Sequence, residues 1–226
     1  MRFKKGCIPW NKGIPMLEEM KKRMGLTKHL QQANHCNLSQ EAIKWINGEL
    51  LGDGCLFSES QYSAKFSYSS KYSEYIQYIA NTLKSFGIEQ MGKINQYHHK
   101  KSNCYIYNYQ SRYYSELLFI RKQWYPEGKK IVPKDIKLTP LTVRQWYIGD
   151  GYLGHLKKGR PNILLCTYGF SISGVEWLVK QLIKLGFKAT RQSISNTIYI
   201  STHSTKDFLD YIKNCPVECY KYKWAY

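Results

Sequence analysis

Two segments of the chain carry apolar residues at helical spacing and stop on the same tripeptide. The first passes through Ala42, Ile43, Trp45, Ile46, Leu50 and Leu51 and ends on Gly52-Asp53-Gly54. The second passes through Leu141, Val143, Trp146, Tyr147 and Ile148 and ends on Gly149-Asp150-Gly151. Asn37 or Ser39 can cap the first of these helices. Thr139 followed by Pro140 starts the second, because proline at the first helical position sacrifices no intrahelical bond. After each acid comes a strand-like stretch and then another, at residues 65–69 in one copy and 162–167 in the other. A helix follows in both, with Ile76, Ile79, Ala80 and Leu83 before a stop at Gly87, and Val175, Leu178, Val179 and Leu182 before a stop at Gly186. Two further strands come next, 93–96 with 105–109 and 188–192 with 197–201, and closing helices are expected at 113–123 and 206–214.

The acids lie 97 residues apart and the two stop glycines 99 apart, so one offset relates everything between them. That is the signature of an internal duplication. The pattern predicts an α+β fold of two pseudo-symmetric αββαββα units, residues 38–137 and 138–226, each with a four-stranded antiparallel sheet backed by helices. Alternation in 197–201 turns Ile198 and Ile200 to the core and Tyr199 and Ser201 to the open face. On the same reasoning Lys65, Ser67, Lys93, Asn95 and Tyr107 of the first copy, and Arg191 and Tyr199 of the second, are the candidate outward positions.

Charge changes the picture from a fold to a partner. The 226 residues hold 34 Lys and Arg against 16 Asp and Glu, a net +18, with an ordinary hydrophobic fraction of 43%. Such a surplus repels itself and favours a polyanion, so nucleic acid is the leading partner. No run approaches the roughly 18 apolar residues of a membrane span, and the basic start lacks the apolar segment of a signal peptide. Seven cysteines without a disulfide rhythm fit a reducing compartment. The chain therefore reads as intracellular, in a compartment that holds a genome: a prokaryotic cytoplasm or an organelle. Residues 1–37 stand apart, with eight basic and two acidic side chains, a turn-rich Pro9-Trp10-Asn11-Lys12-Gly13-Ile14-Pro15 and a helix near 17–30. Trp10 and Lys12 make this segment a candidate DNA-binding extension. Cys7, His29, His35 and Cys36 lack the paired spacing of a zinc site.

Two glycines four residues apart on the first motif helix would let it meet another helix. Gly48 and Gly52 share one face of the first helix, where glycine removes the side chain that keeps a neighbour away. If the two helices touch there, Asp53 and Asp150 arrive together. A helix C-terminus is electronegative and adjacent carboxylates raise one another's pKa, so the pair calls for cations. Hard oxygen ligands favour Mg²⁺, for which Mn²⁺ substitutes, and metals flanking a phosphodiester activate water and stabilise the leaving oxygen.

Trp45 through Gly54 and Leu138 through Gly151 resemble the paired motifs of the single-chain, two-repeat LAGLIDADG homing endonucleases. The resemblance continues through residues 65–79, 124–133 and 216–221. One departure is Gln145, which occupies the place of the first packing glycine and makes the helix contact less symmetric. The resemblance implies packing through the motif helices into a DNA-binding saddle, with metal held by Asp53 and Asp150 and by the carbonyls of Gly52 and Gly149. It also implies a basic residue from each repeat beside the scissile phosphates, Lys130 and Lys221, for which Lys129 and Lys223 are near substitutes. The implied activity is cleavage of both strands of a long, non-palindromic duplex across the minor groove by a monomer, leaving short 3′ overhangs. Residues 9–13 with 18–24 are similar to small modular DNA-binding motifs appended to such nucleases. An intron RNA maturase and a cleavage-inactive DNA-binding protein are the alternatives on the same scaffold.

Overall fold

Each motif helix begins where its cap stands. The Ser39 hydroxyl accepts the Ala42 N–H at 3.1 Å and opens α2, Gln40–Leu51. The Thr139 hydroxyl accepts the Thr142 N–H at 3.3 Å and opens α5, Pro140–Asp150. The structure is a computed structural model that describes residues 15–32, 34–154 and 161–226. Trp10 and Lys12 lie outside the described residues. The chain divides into two compact units, Met1–Ala33 and Asn34–Tyr226. The first contains α1, Glu18–Gln32, whose opening turn carries Glu18 and Glu19, with Lys21 Nζ 2.6 Å from Glu18.

The second unit contains both repeats. In the first, β1 (Cys55–Phe57), β2 (Lys65–Ser70), α3 (Ser73–Ser85), β3 (Asn95–His99), β4 (Cys104–Gln110) and α4 (Ser115–Trp124) follow α2. In the second, β5 (Gly151–Gly154), β6 (Asn162–Leu165), α6 (Ile172–Lys184), β7 (Ala189–Gln192), β8 (Thr197–Ile200) and α7 (Thr205–Ile212) follow α5, and a 3-10 helix, Glu218–Trp224, comes after them. The sheets run β1-β2-β4-β3 and β5-β6-β8-β7. Every pairing is antiparallel. The fold is the expected duplicated α+β arrangement. Gly87 and Gly186 end α3 and α6 at φ of 78° and 94°, backbone that only glycine adopts cheaply.

Residues directly opposite in an antiparallel pair share a face, so register decides which side chains look outward. Ile163, Leu165, Ile198 and Ile200 are fully buried on the helix side of the second sheet. Tyr199, opposite Leu164 and Thr190, lies on the other face, as the alternation predicts. Arg191 does not. It pairs with Ile198 and so points to the helix side, where Nε lies 3.7 Å from Glu176 of α6 and Nη1 donates to Asn196. Tyr107 is likewise on the same side of β4 as fully buried Tyr109 and packs against the core. Lys93 precedes β3 rather than lying in it, while His98 and His99 are strand residues that pair with Tyr105 and Cys104.

Candidate active site

The motif helices meet at their glycines. A Cβ on Gly48 would lie 2.5 Å from the Thr142 carbonyl oxygen, and one on Gly52 3.3 Å from Gly149 Cα. No larger residue fits at Gly48 without parting α2 from α5. Gln145 keeps the approach close by turning its side chain along the interface, where Nε2 donates to Glu49 Oε1 at 3.0 Å and to the Tyr78 hydroxyl at 3.3 Å. The Tyr75 hydroxyl donates to the same Glu49 oxygen at 2.7 Å. Glu49 is fully buried, and burial first, with Asp53 adding to it, pushes its carboxyl up to about 8 against the pull of those hydrogen bonds. Glu49 Oε2 and Gln145 Oε1 have no partner. A proton on Oε2 makes one of these two acceptors a donor, the form a buried acid adopts most cheaply.

Just beyond this contact the two acids open into one cavity of about 150 Å³, lined by Gly52, Asp53, Lys130, Asp150, Cys166 and Tyr168 among others. Asp53 sits in the turn after α2 and Asp150 is the last residue of α5. Burial and then the Asp53 carboxylate raise Asp150 to about 7, with Lys130 and Lys223 pulling it down. The Tyr68 hydroxyl lies 3.5 Å from Asp53 Oδ2.

Each helix end carries its own ammonium group. Lys130 Nζ donates to the Gly52 and Gly54 carbonyls at 3.0 and 2.8 Å. Lys223 Nζ donates to the Ile148 carbonyl at 2.6 Å and to that of Gly149 at 3.4 Å. These cations sit on the free carbonyls of the helix ends, which answers the electronegative field that makes the location unfavourable for carboxylates. Burial holds both lysines below the usual lysine range, Lys223 at about 8, against the opposing pull of the acids. Lys221 is not brought to the acids: it is exposed and its Nζ forms a surface ion pair with Glu218. The reason is the three-residue turn of the 3-10 helix, which stacks Lys223 on Tyr220 and leaves Lys221 to solvent. Nothing in the sequence separates Lys223 from Lys221; the burial of Tyr220 in the fold does.

The residues suit a hard divalent cation. Two carboxylates converge, their mutual repulsion appears in the raised Asp150, and the added charge of a metal would reverse that cost. The Gly52 and Gly149 carbonyls each accept an ammonium N–H and keep a second lone pair. His35 and Cys36 are used elsewhere, both against Glu116 of α4.

Of the candidate DNA contacts, Asn95, Ser67 and Tyr199 stand on the open sheet faces. Lys65 shares that face but is buried, its Nζ bonded to Gln110 at 3.0 Å and covered by the Phe57 and Tyr113 rings. Register adds Ser69, Tyr97 and Asn108 in the first repeat and Tyr152 and Thr190 in the second, positions that strand pairing alone identifies.

Comparison with known proteins fits this geometry. Residues 43–208 match the family model described as the LAGLIDADG DNA endonuclease family. The chain is 27% identical over 148 residues to the uncharacterized protein MJ1098 of Methanocaldococcus jannaschii, covering 65% of this chain and 57% of that protein. It is 26% identical over 210 residues to cytochrome b mRNA maturase bI2 of Debaryomyces hansenii, covering 82% and 74%. Its fold is similar to that of the homing endonuclease I-WcaI bound to its DNA recognition sequence. The TM-score is 0.71 at 18% identity, over 89% of this chain and 92% of that one. Among the described residues no helix is long and apolar enough to cross a membrane.

Proposed function

The chain belongs to the LAGLIDADG DNA endonuclease family, and from that premise we propose that it is a site-specific homing endonuclease. In this reading a monomer cuts both strands of a long, non-palindromic duplex across the minor groove and leaves short 3′ overhangs. The observation that carries the reading is the convergence of Asp53 and Asp150 in one cavity, with a buried lysine on each helix end. Mg²⁺, or Mn²⁺ in its place, would be held by the two carboxylates and the Gly52 and Gly149 carbonyls, and supplies charge for the phosphate and activation of water. Lys130 and Lys223 hold positive charge beside the scissile phosphates and oppose the rise that burial and Asp53 impose on the Asp150 carboxyl. The glycine contact fixes the spacing of the acids, and the open sheet faces set the register on DNA. Residues 1–37, Trp10 and Lys12 included, add phosphate contacts and with them salt dependence.

The test is incubation with a plasmid carrying the intronless host gene and Mg²⁺. Asp53→Asn and Asp150→Asn should each abolish double-strand cleavage while leaving DNA affinity within about tenfold, because most binding resides in the basic surface. Full cutting by either variant would remove the shared site. The likeness to a maturase supports a second reading, assistance of intron RNA splicing on the same scaffold. Splicing of precursor RNA stimulated equally by wild type and Asp53→Asn would favour it.

A further inference from the structure

Tyr168 is the most exposed Tyr, Phe or Trp among the described residues, at 78%, yet it borders the cavity that holds both acids. The loop that carries it is firmly held on both sides. Buried Thr167 donates its hydroxyl to the Asn196 carbonyl, and Asn196 Nδ2 donates to the Phe170 carbonyl at 3.0 Å. Asn196 itself takes a left-handed φ of 50°. Phe170 packs against Trp124 and under the Lys130 ammonium. Between these anchors nothing lies within 4 Å of a Cβ on Gly169. Tyr168 is thus an exposed aromatic side chain on an anchored loop at the lip of the acid site.

The first repeat has no such ring. Counting from the acid, the position equivalent to Tyr168 is Lys71, 97 residues earlier. Three residues separate Tyr68 from the cap of α3 at Tyr72, whereas five separate Leu165 from the cap of α6 at Ser171, so the second loop is longer by two. Tyr72, the aromatic of the shorter loop, is turned inward onto Tyr220.

We infer that Tyr168 is a positioning residue that enters the DNA beside one scissile phosphate and stacks on a base at the centre of the site. A phosphate held by the acids places its own sugar and base against the rim of this cavity, so those are what the ring meets. Aromatic side chains bind unstacked bases well and without sequence preference, and apolar wedges in the minor groove open base steps. The inference rests on the nuclease reading for its effect on cleavage but has a readout of its own in the DNA.

The experiment uses a duplex selected for binding from a random library, with 2-aminopurine at each central position in turn. Binding in Ca²⁺ should raise the fluorescence of at least one probe with wild type and with Tyr168→Phe, and much less with Tyr168→Ala. In Mg²⁺, at saturating protein, Tyr168→Ala should slow single-turnover cutting by about tenfold, on one strand more than the other, and Tyr168→Phe should restore it. Absence of cutting by wild type, with the fluorescence difference intact, would count against the nuclease reading and for this one. Equal fluorescence in wild type and Tyr168→Ala overturns the inference, as does a phenylalanine variant no better than alanine. Equal slowing of both strands also overturns it, since that marks a general loosening of the site.

Discussion

At the end of each motif helix an ammonium group occupies carbonyls the helix cannot satisfy itself, and the same group faces the acids. Removing Lys223 leaves the Ile148 and Gly149 carbonyls without their cation and the Asp150 carboxylate with only Lys130 of the two. Lys223→Met is expected to lower single-turnover cleavage by about a hundredfold or more, the scale of losing one preorganised charge at a reacting phosphate. Lys221→Met should remain within about threefold, since a solvated ion pair contributes little. Comparison of the two rates on one duplex decides between the lysines. Glu49 gives a pH-dependent counterpart. Its carboxyl stands at about 8 in the fold against 4.5 ordinarily, so the folded chain binds the proton more tightly than the unfolded one. The stability this brings is complete below about 4.5 and is lost as pH rises through about 8. Thermal midpoints of the wild type should therefore fall more steeply between pH 5 and 9 than those of Glu49→Gln, which cannot ionise. The two profiles should diverge by at least about 4 °C.

The contact between α2 and α5 turns these residues into a site, and Gly48 is its tightest point. Gly48→Ala places a methyl against the Thr142 carbonyl and the Gln145 side chain, and the cost expected of such overpacking is about 1–3 kcal/mol. Thermal unfolding should detect it as a fall of roughly 2–4 °C per kcal/mol, accompanied by slower cleavage as the acids part. Both helices, their caps and their acids were legible in the sequence, because Ser39, Thr139-Pro140 and the apolar spacing act within a few residues of one another. What the sequence did not disclose was settled between elements. Arg191 and Tyr107 carry polar groups at strand positions, but only pairing with Ile198 and parity with Tyr109 reveal that they face the helices. Lys65 is on the expected face and is hidden by rings from β1 and from the segment before α4. Lys223 depended on the pitch of a short 3-10 helix, and Tyr168 on an anchor supplied by a turn 28 residues later.

Across the whole molecule the two open faces are chemically unlike. Asn95, Asn108 and Ser69 line one, while Tyr152, Leu164, Thr190 and Tyr199 line the other. On the proposed nuclease reading, two such surfaces would read different half-sites, since each base edge demands its own donors and acceptors. Asn95→Ala should relax base preference in one half-site only, by about 1–3 kcal/mol at one position, and Thr190→Val in the other only, as an unbiased cleavage selection would measure. A palindromic optimum, or a dimer on DNA in sedimentation, would contradict the reading. The halves are nonetheless bound to one another in a way their separate faces conceal. Lys130 belongs to the connection after α4, grips the end of α2 and lies over Phe170 of the second repeat. Lys223 rides on a segment docked to the first repeat, where Glu74 accepts the N–H groups of Glu218 and Cys219 and Tyr72 and Tyr75 flank Tyr220. Each repeat thus helps to seat the lysine that serves its sibling. A chimera that exchanged one half for that of a relative would therefore carry over one open sheet face and leave a lysine without part of its seat.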